Sequence, residues 1–206
     1  MKNIISGIRK PVLVLDEKKC RENIRLMAGK AEKWGVNFRP HFKTHQSATI
    51  GNWFRDEGVK SITVSSVTMA SFFAGKGWSD ITIAFPLNIR EAGSLRKLIN
   101  ETGAAINILT SGQEHLNMVL KKVDFRAGCF IKTDTGYRRT GVDWNDKQQL
   151  MRMAYDIYNS DSLRFKGILT HSGHSYGVRS REEAERIFHD SSEKMAEAGK
   201  HTGYDG

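Results

Sequence analysis

Cysteine is nearly missing: Cys20 and Cys129 are the only two in 206 residues. Neither stands in a CxxC or in a Cys/His spacing that would build a zinc site, and two thiols cannot supply the framework of a disulfide-stapled domain. So low a usage fits a reducing cytoplasm. Cys20, at helical spacing from Ile24 and Met27, is expected in the core. Long apolar runs are missing too. The run "VLVL" after Pro11 is too short for a signal peptide, and nothing approaches the roughly 20 residues of a membrane span, so no membrane role is expected. Basic residues outnumber acidic ones, 32 to 23, for a formal net charge of +9, yet no block of five or six basics occurs and none is interleaved with aromatics. Cations spread along helices between acids read as solvated faces, not as a nucleic-acid surface. Two nucleotide fingerprints are absent as well: no GxGxxG follows the first strand-like run, and no GxxxxGK[ST] occurs.

What is there is alternation. A composition of 39% hydrophobic and 27% charged residues is that of a soluble globular chain. Short apolar or β-branched runs alternate with longer segments of helical period. The expected strands are "PVLVLD" (11–16), "VNFRPHFK", "SITVS", "DITIAF", "AAINIL", "AGCFIKTD" and "FKGILTH". Between them come expected helices. The first carries Cys20, Ile24, Met27, Ala28, Ala31 and Trp34 as one stripe and stops at Gly35; the next is "SATIGNWFRDEG". Asn88 with Glu91, Ser111 with Glu114, and Ser180 with Glu183 predict three capping boxes. Strands apolar on both faces, in a β-then-α order without linker or repeat, predict a parallel sheet covered by helices. With no Rossmann or P-loop fingerprint, a (β/α)8 TIM-type barrel is favoured over a doubly wound sheet. About six βα units follow "PVLVLD", so the barrel is expected to be incomplete, with about two units lacking.

In such a barrel the site lies at the C-terminal strand ends. Polar residues gather there: Lys43-Thr44-His45, Ser65-Ser66, Thr110-Ser111, Lys132 to Arg139, and His171 to Tyr176. A lysine on a barrel strand is desolvated, its ammonium is disfavoured, and the neutral amine can attack a carbonyl to form a Schiff base. For Lys43 the alternative is a lysine paired with a carboxylate or reaching to the barrel rim. In "KTDTGYRRTG", Gly136 allows a turn while Arg138 and Arg139 offer forks for anionic oxygens; a plain basic surface loop is the other reading. "HSGHSYG" sets imidazole, hydroxyl and phenol side by side, and its HxxH has no third metal ligand nearby.

Together "PVLVLDEKKCRENI", "RPHFKTH", "KTDTGYRRTGV" and "GILTHSGHSYG" resemble the fold type III pyridoxal-phosphate enzymes, the alanine-racemase-like barrel. Within it they look most like the D-threonine aldolase and D-serine dehydratase branch. The resemblance covers nearly the whole chain, taken as one partial domain over 1–206. It implies that Lys43 is the catalytic lysine holding pyridoxal 5'-phosphate. It implies further that Arg139 contacts the cofactor's phenolic oxygen, that His171 stacks on its ring, and that Tyr176 reaches the ring-nitrogen side. Tyr137 stands where many members carry methionine, and no function is read into it. The branch's C-terminal β domain, expected to be absent here, would supply a divalent metal; no metal ligands are assigned in this chain. The implied partners are a small amino-acid substrate and a second subunit in a full-length homodimer. The expected activity is lysis of D-amino acids by aldol cleavage or dehydration, with the isolated chain inactive. An amino-acid racemase, a non-catalytic pyridoxal-phosphate-binding homeostasis protein, and an unrelated barrel for a phosphorylated metabolite are the alternatives.

Overall fold

Helix starts are set by side chains that accept the orphan backbone N–H groups of the first turn. In the computed structural model, which describes residues 6–203, Asp16 accepts from Lys19 N at 3.0 Å and opens helix α1 (Glu17–Lys33). Ser47 accepts from Ile50 N at 3.3 Å and opens α2 (Ala48–Asp56). These two helices form one compact unit, residues up to 39 together with 47–59. Arg21 joins them, bonding Glu17 and Asp56 and lying 4.7 Å over the Trp53 ring. Arg25 pairs with Glu57, and Phe38 meets Phe54 at 6.2 Å.

Three expectations in this unit are corrected. "PVLVLD" is no strand: Val12 to Leu15 are exposed, from 46 to 83%, and have no ladder partner among the described residues. An apolar run makes a strand only where a neighbouring strand pairs with it. The α1 stripe is only partly covered: Ile24 is buried, Cys20, Ala28 and Ala31 are half-buried, and Met27 and Trp34 are exposed, Trp34 by 76%. Cys20 is accordingly half-buried, not core.

The second unit, residues 40–46 with those from 60 onward, holds the sheet. Its strands are β1 (Ile62–Val64), β2 (Asp80–Pro86), β3 (Ala105–Thr110), β4 (Ala127–Asp134), β5 (Val142–Asp143) and β6 (Leu163–Leu169). Every pairing is parallel: β1 with β2, β2 with β3, β3 with β4, and β4 with β6, while β5 adds to the last two residues of β4. Helices α3 (Val67–Ala74), α4 (Ala92–Thr102), α5 (Gln113–Lys122), α6 (Lys147–Tyr158) and α7 (Arg181–Lys200) follow the strands in turn. The result is part of a TIM-type (β/α) barrel, as the alternation predicts. Ile62, Val64, Ile81, Ile83, Ile106, Ile108, Cys129 and Ile131 supply one buried face, met by Leu95, Leu116, Leu150 and Met153 from the helices. Residues 1–5 and 204–206 of the expected domain lie outside the described residues.

The first expected barrel strand survives only as a single parallel bridge, His41 to Thr63, held by Thr63 N donating to Pro40 O at 2.8 Å. Directly after it the chain turns through a 3-10 helix, Phe42–Thr44. Of the three expected capping boxes only the last supplies its N-cap bond, Glu183 N donating to Ser180 Oγ at 3.1 Å. Asn88 instead caps a short 3-10 turn through Arg90 N, and α4 begins later without a side-chain cap. Ser111 caps nothing: its own N–H donates to His115 Nδ1, and Gln113 N donates to Gln149 across to α6. Where a neighbouring helix offers an acceptor, the local cap is not needed.

Candidate active site at the strand ends

Lys43 sits on the 3-10 turn just past the His41–Thr63 bridge and is exposed. The expectation of a lysine desolvated within a strand is therefore corrected for this residue. The strand stops one bridge early because His41 Nδ1 accepts from Lys43 N at 3.2 Å and curls the backbone. Beneath it Phe42 is fully buried, its ring 4.9 Å from Phe73, 5.2 Å from Trp78 and 4.4 Å from His45. Gln46 closes the turn, donating its N–H to Phe42 O at 3.0 Å with φ at +46.

A lysine that is desolvated on a strand does exist in this site: Lys132, on β4, is 5% exposed. Its Nζ donates to Thr133 O at 3.1 Å. Burial lowers its pKa and the Arg139 charge adds to that, against the pull of Asp134. Asp134 ends the strand. Burial alone would raise its pKa, but the N–H groups of Gly136, Arg138 and Tyr137 and the Lys132 charge hold it below the usual value.

The chain leaves β4 through a tight turn and not an extended exit, since Arg138 adopts φ +56. Arg139 lies over the Tyr137 ring at 5.3 Å, and its charge acts on both Lys132 and His171. Past β6, His171 packs edge-on to Tyr137 at 5.7 Å and to Tyr176 at 5.5 Å. Tyr176 is 73% exposed. A Cβ on Gly173 would come within 2.5 Å of the Tyr137 ring, so a bare backbone is what admits that ring.

The four residues singled out by sequence thus gather at one end of one sheet. Lys43, Arg139 and His171 are within electrostatic reach, and Tyr176 joins through the His171 ring. Burial, with the neighbouring cations, depresses His171, and it depresses His41 to about 4. Both imidazoles are therefore neutral at physiological pH. Asp134 is the single acid in this interacting set of Lys43, Lys132, Arg139, His41 and His171. Such a surplus of positive charge, an exposed primary amine and a wall of three rings fit a planar, anionic carbonyl compound. Three contributors were not assigned from sequence: His41, Lys132 and Tyr137. Lys132 carried a usable signal, a cation inside the strand run "AGCFIKTD". Among the described residues no trio of His, Cys, Asp or Glu is placed to hold a metal. No described helix is long and apolar enough to cross a membrane.

Comparison with known proteins bears on the family and the fold. Residues 15–203 match the family model described as alanine racemase, N-terminal domain. A D-serine dehydratase of Dictyostelium discoideum is 28% identical over 189 residues, which cover 84% of this chain and 47% of that protein. A D-threonine aldolase of an Arthrobacter species is 25% identical, with 89% and 48% covered. The solved structure of D-threo-3-hydroxyaspartate dehydratase from Delftia sp. HT23 superimposes with a TM-score of 0.87 at 23% identity, over 95% of this chain and 52% of that one. That likeness speaks for the fold. The chain spans about half the length of the curated relatives it matches. With 15–203 matched, this chain belongs to the family defined by the alanine racemase N-terminal domain.

Proposed function

We propose that the chain, taken as one cofactor-binding domain over 1–206, is part of a pyridoxal-phosphate-dependent lyase acting on D-amino acids. Lys43 is its carbonyl-binding amine. The observation that carries this reading is the convergence of Lys43, Arg139, His171 and Tyr176 at the strand ends of a parallel sheet. The dehydratases and the aldolase among its relatives support the reaction class. When bound, the cofactor supplies an electron sink for the bond broken at the substrate α-carbon.

The chain's own residues do the rest. Lys43 presents its amine from an exposed turn over a rigid aromatic floor, which limits where the reacting carbon can lie. Arg139 offers a planar fork for an anionic oxygen. His171, held neutral, gives a flat face for a ring, with Tyr176 beside it. Lys132, buried beside Asp134, adds positive potential without exposing a second amine. Lys43 is also the group placed to take or return a proton at the substrate α-carbon.

A divalent metal bound outside these residues, a homodimer and a cytoplasmic location are parts of the same proposal. Low cysteine usage supports the last of these. The test uses the protein expressed from its complete gene. Pyruvate release from D-serine and glycine release from D-threonine are measured with and without chelator. Chelator-sensitive turnover of either supports the lyase. Alanine racemisation without metal would establish the second reading, a racemase, the activity named in the description of the matching family model. No turnover of any of the three substrates would overturn both.

A further inference from the structure

The Lys43 turn is held from more sides than a three-residue turn needs. Its entry is fixed by the parallel bridge from His41 to Thr63. Its middle is pinned by Phe42, buried against Phe73 and Trp78. Its exit is closed by Gln46, an L-residue at φ +46. The remaining loose end is the backbone N–H of Lys43, one of the orphan donors at a helix start. Its acceptor is the ring of His41, Nδ1 to N at 3.2 Å, from the N-cap position.

We infer that His41 is a positioning residue for Lys43: its imidazole caps the turn that aims the reactive amine, and it does so only in the tautomer with a bare Nδ1 and a protonated Nε2. This rests on the reading of Lys43 as the carbonyl-binding lysine. Histidine is an uncommon cap; Asn, Asp, Ser and Thr are the usual ones. Here the ring does more than a short cap could, because its body also fills a half-buried place beside His171. Protonation at Nδ1 would turn the acceptor into a donor facing another donor, and the cap would be lost. Burial, with the charges of Lys43 and His171, keeps the ring neutral down to about pH 4, so the cap persists across the working range.

The test compares His41→Asn, which keeps an acceptor for Lys43 N, with His41→Ala, which removes it. The protein from the complete gene is incubated with pyridoxal phosphate, reduced with borohydride and peptide-mapped. Label on Lys43 is read as a ratio to label on Lys97, a lysine exposed on α4. Because an unfolded chain would label both lysines alike and so lower the ratio, both variants are first shown to be folded by far-UV circular dichroism. The expected result is that Ala lowers the ratio about five- to tenfold, the size of one lost cap, while Asn stays within about twofold of the unmutated protein. An unchanged ratio in His41→Ala would refute the inference alone, as would an Asn variant that falls as far as Ala. No label on Lys43 in the unmutated protein would refute the functional reading itself, and the inference with it.

Discussion

A methyl group added at Gly128 should destabilise the protein by an amount that depends on a residue one strand away. A Cβ built there stands 2.0 Å from Asn107 Oδ1 and 3.0 Å from its Cγ. Ordinary contact begins near 3.4 Å, so the amide would have to retreat by well over an ångström. It has little freedom to do so: Asn107 is 5% exposed, and its Nδ2 donates to Asp80 Oδ1 at 3.0 Å and to Thr82 Oγ1 at 3.2 Å. Overpacking costs about 1–3 kcal/mol and each displaced hydrogen bond about 1 kcal/mol, so Gly128→Ala should cost about 3 kcal/mol. Asn107→Ala alone loses the same two bonds but creates no clash. In the double variant the new methyl enters the space the amide left, so the two costs should fall short of their sum by about 1–2 kcal/mol. Urea unfolding, followed by tryptophan fluorescence and far-UV circular dichroism, measures this, provided the two probes coincide. With a slope of about 2–3 kcal/mol per molar for a chain of this size, Gly128→Ala should lower the midpoint by about 1–1.5 M. Costs that add, or a midpoint that does not move, would refute the close approach of β3 and β4 at this register.

Phe42→Ala should cost about 3–5 kcal/mol, since the ring is fully buried among Phe73, Trp78 and His45, whereas Phe42→Leu should cost under half of that in the same urea titration. His41 binds a proton near 6.5 when unfolded and near 4 when folded, so the unfolded state holds more protons between these values and stability must fall as pH drops through that window. Midpoints at pH 7 and 4.5 should therefore differ less in His41→Asn than in the unmutated protein, and equal differences would remove His41 as the cause. Arg139→Lys should weaken pyridoxal-phosphate retention by about tenfold or more, because a point charge replaces a fork, while Arg138→Lys leaves it unchanged. Absorbance titration that finds the reverse would give the contact to Arg138.

Much of the barrel was legible because its strands obey the burial they report. "AGCFIKTD" predicts β4 residue for residue, and "DITIAF" and "AAINIL" miss their ends by one. Helix α6 buries Leu150, Met153, Ala154 and Ile157, an i, i+3, i+4, i+7 stripe that the sequence itself displays. "PVLVLD" is an equally apolar run yet no strand forms, because an apolar run reports a wish for burial and not whether a partner edge is available. The capping boxes failed for a related reason. At Ser111 the competing donors and acceptors come from His115 and Gln149, the latter 36 residues away from the N–H it meets. A four-residue motif cannot register them.

The site was legible in its members and less so in its physics. By sequence, a cation inside an apolar run marks Lys43 as the reactive lysine. In the folded chain that description fits Lys132, which is buried on a true strand, while Lys43 stands exposed on a turn. The two placements suit different work. A lysine whose Nζ is enclosed and donating to Thr133 O cannot reach an incoming carbonyl, but its charge raises the local potential and acts on Arg139, Asp134 and His171. A lysine that must bond to a ligand needs access, and access forces it off the strand. The chain meets that need by ending the strand after one bridge, anchoring Phe42 below and capping the turn with His41. Capture of an anionic carbonyl compound at Lys43 would then draw on the surplus positive charge at this end of the sheet. Neutralising Lys132 by Lys132→Met should therefore slow carbonyl capture at Lys43 while leaving the amine in place, and the reductive-labelling ratio of Lys43 to Lys97 measures that effect. An unchanged ratio would show that Lys43 acts without its buried neighbour.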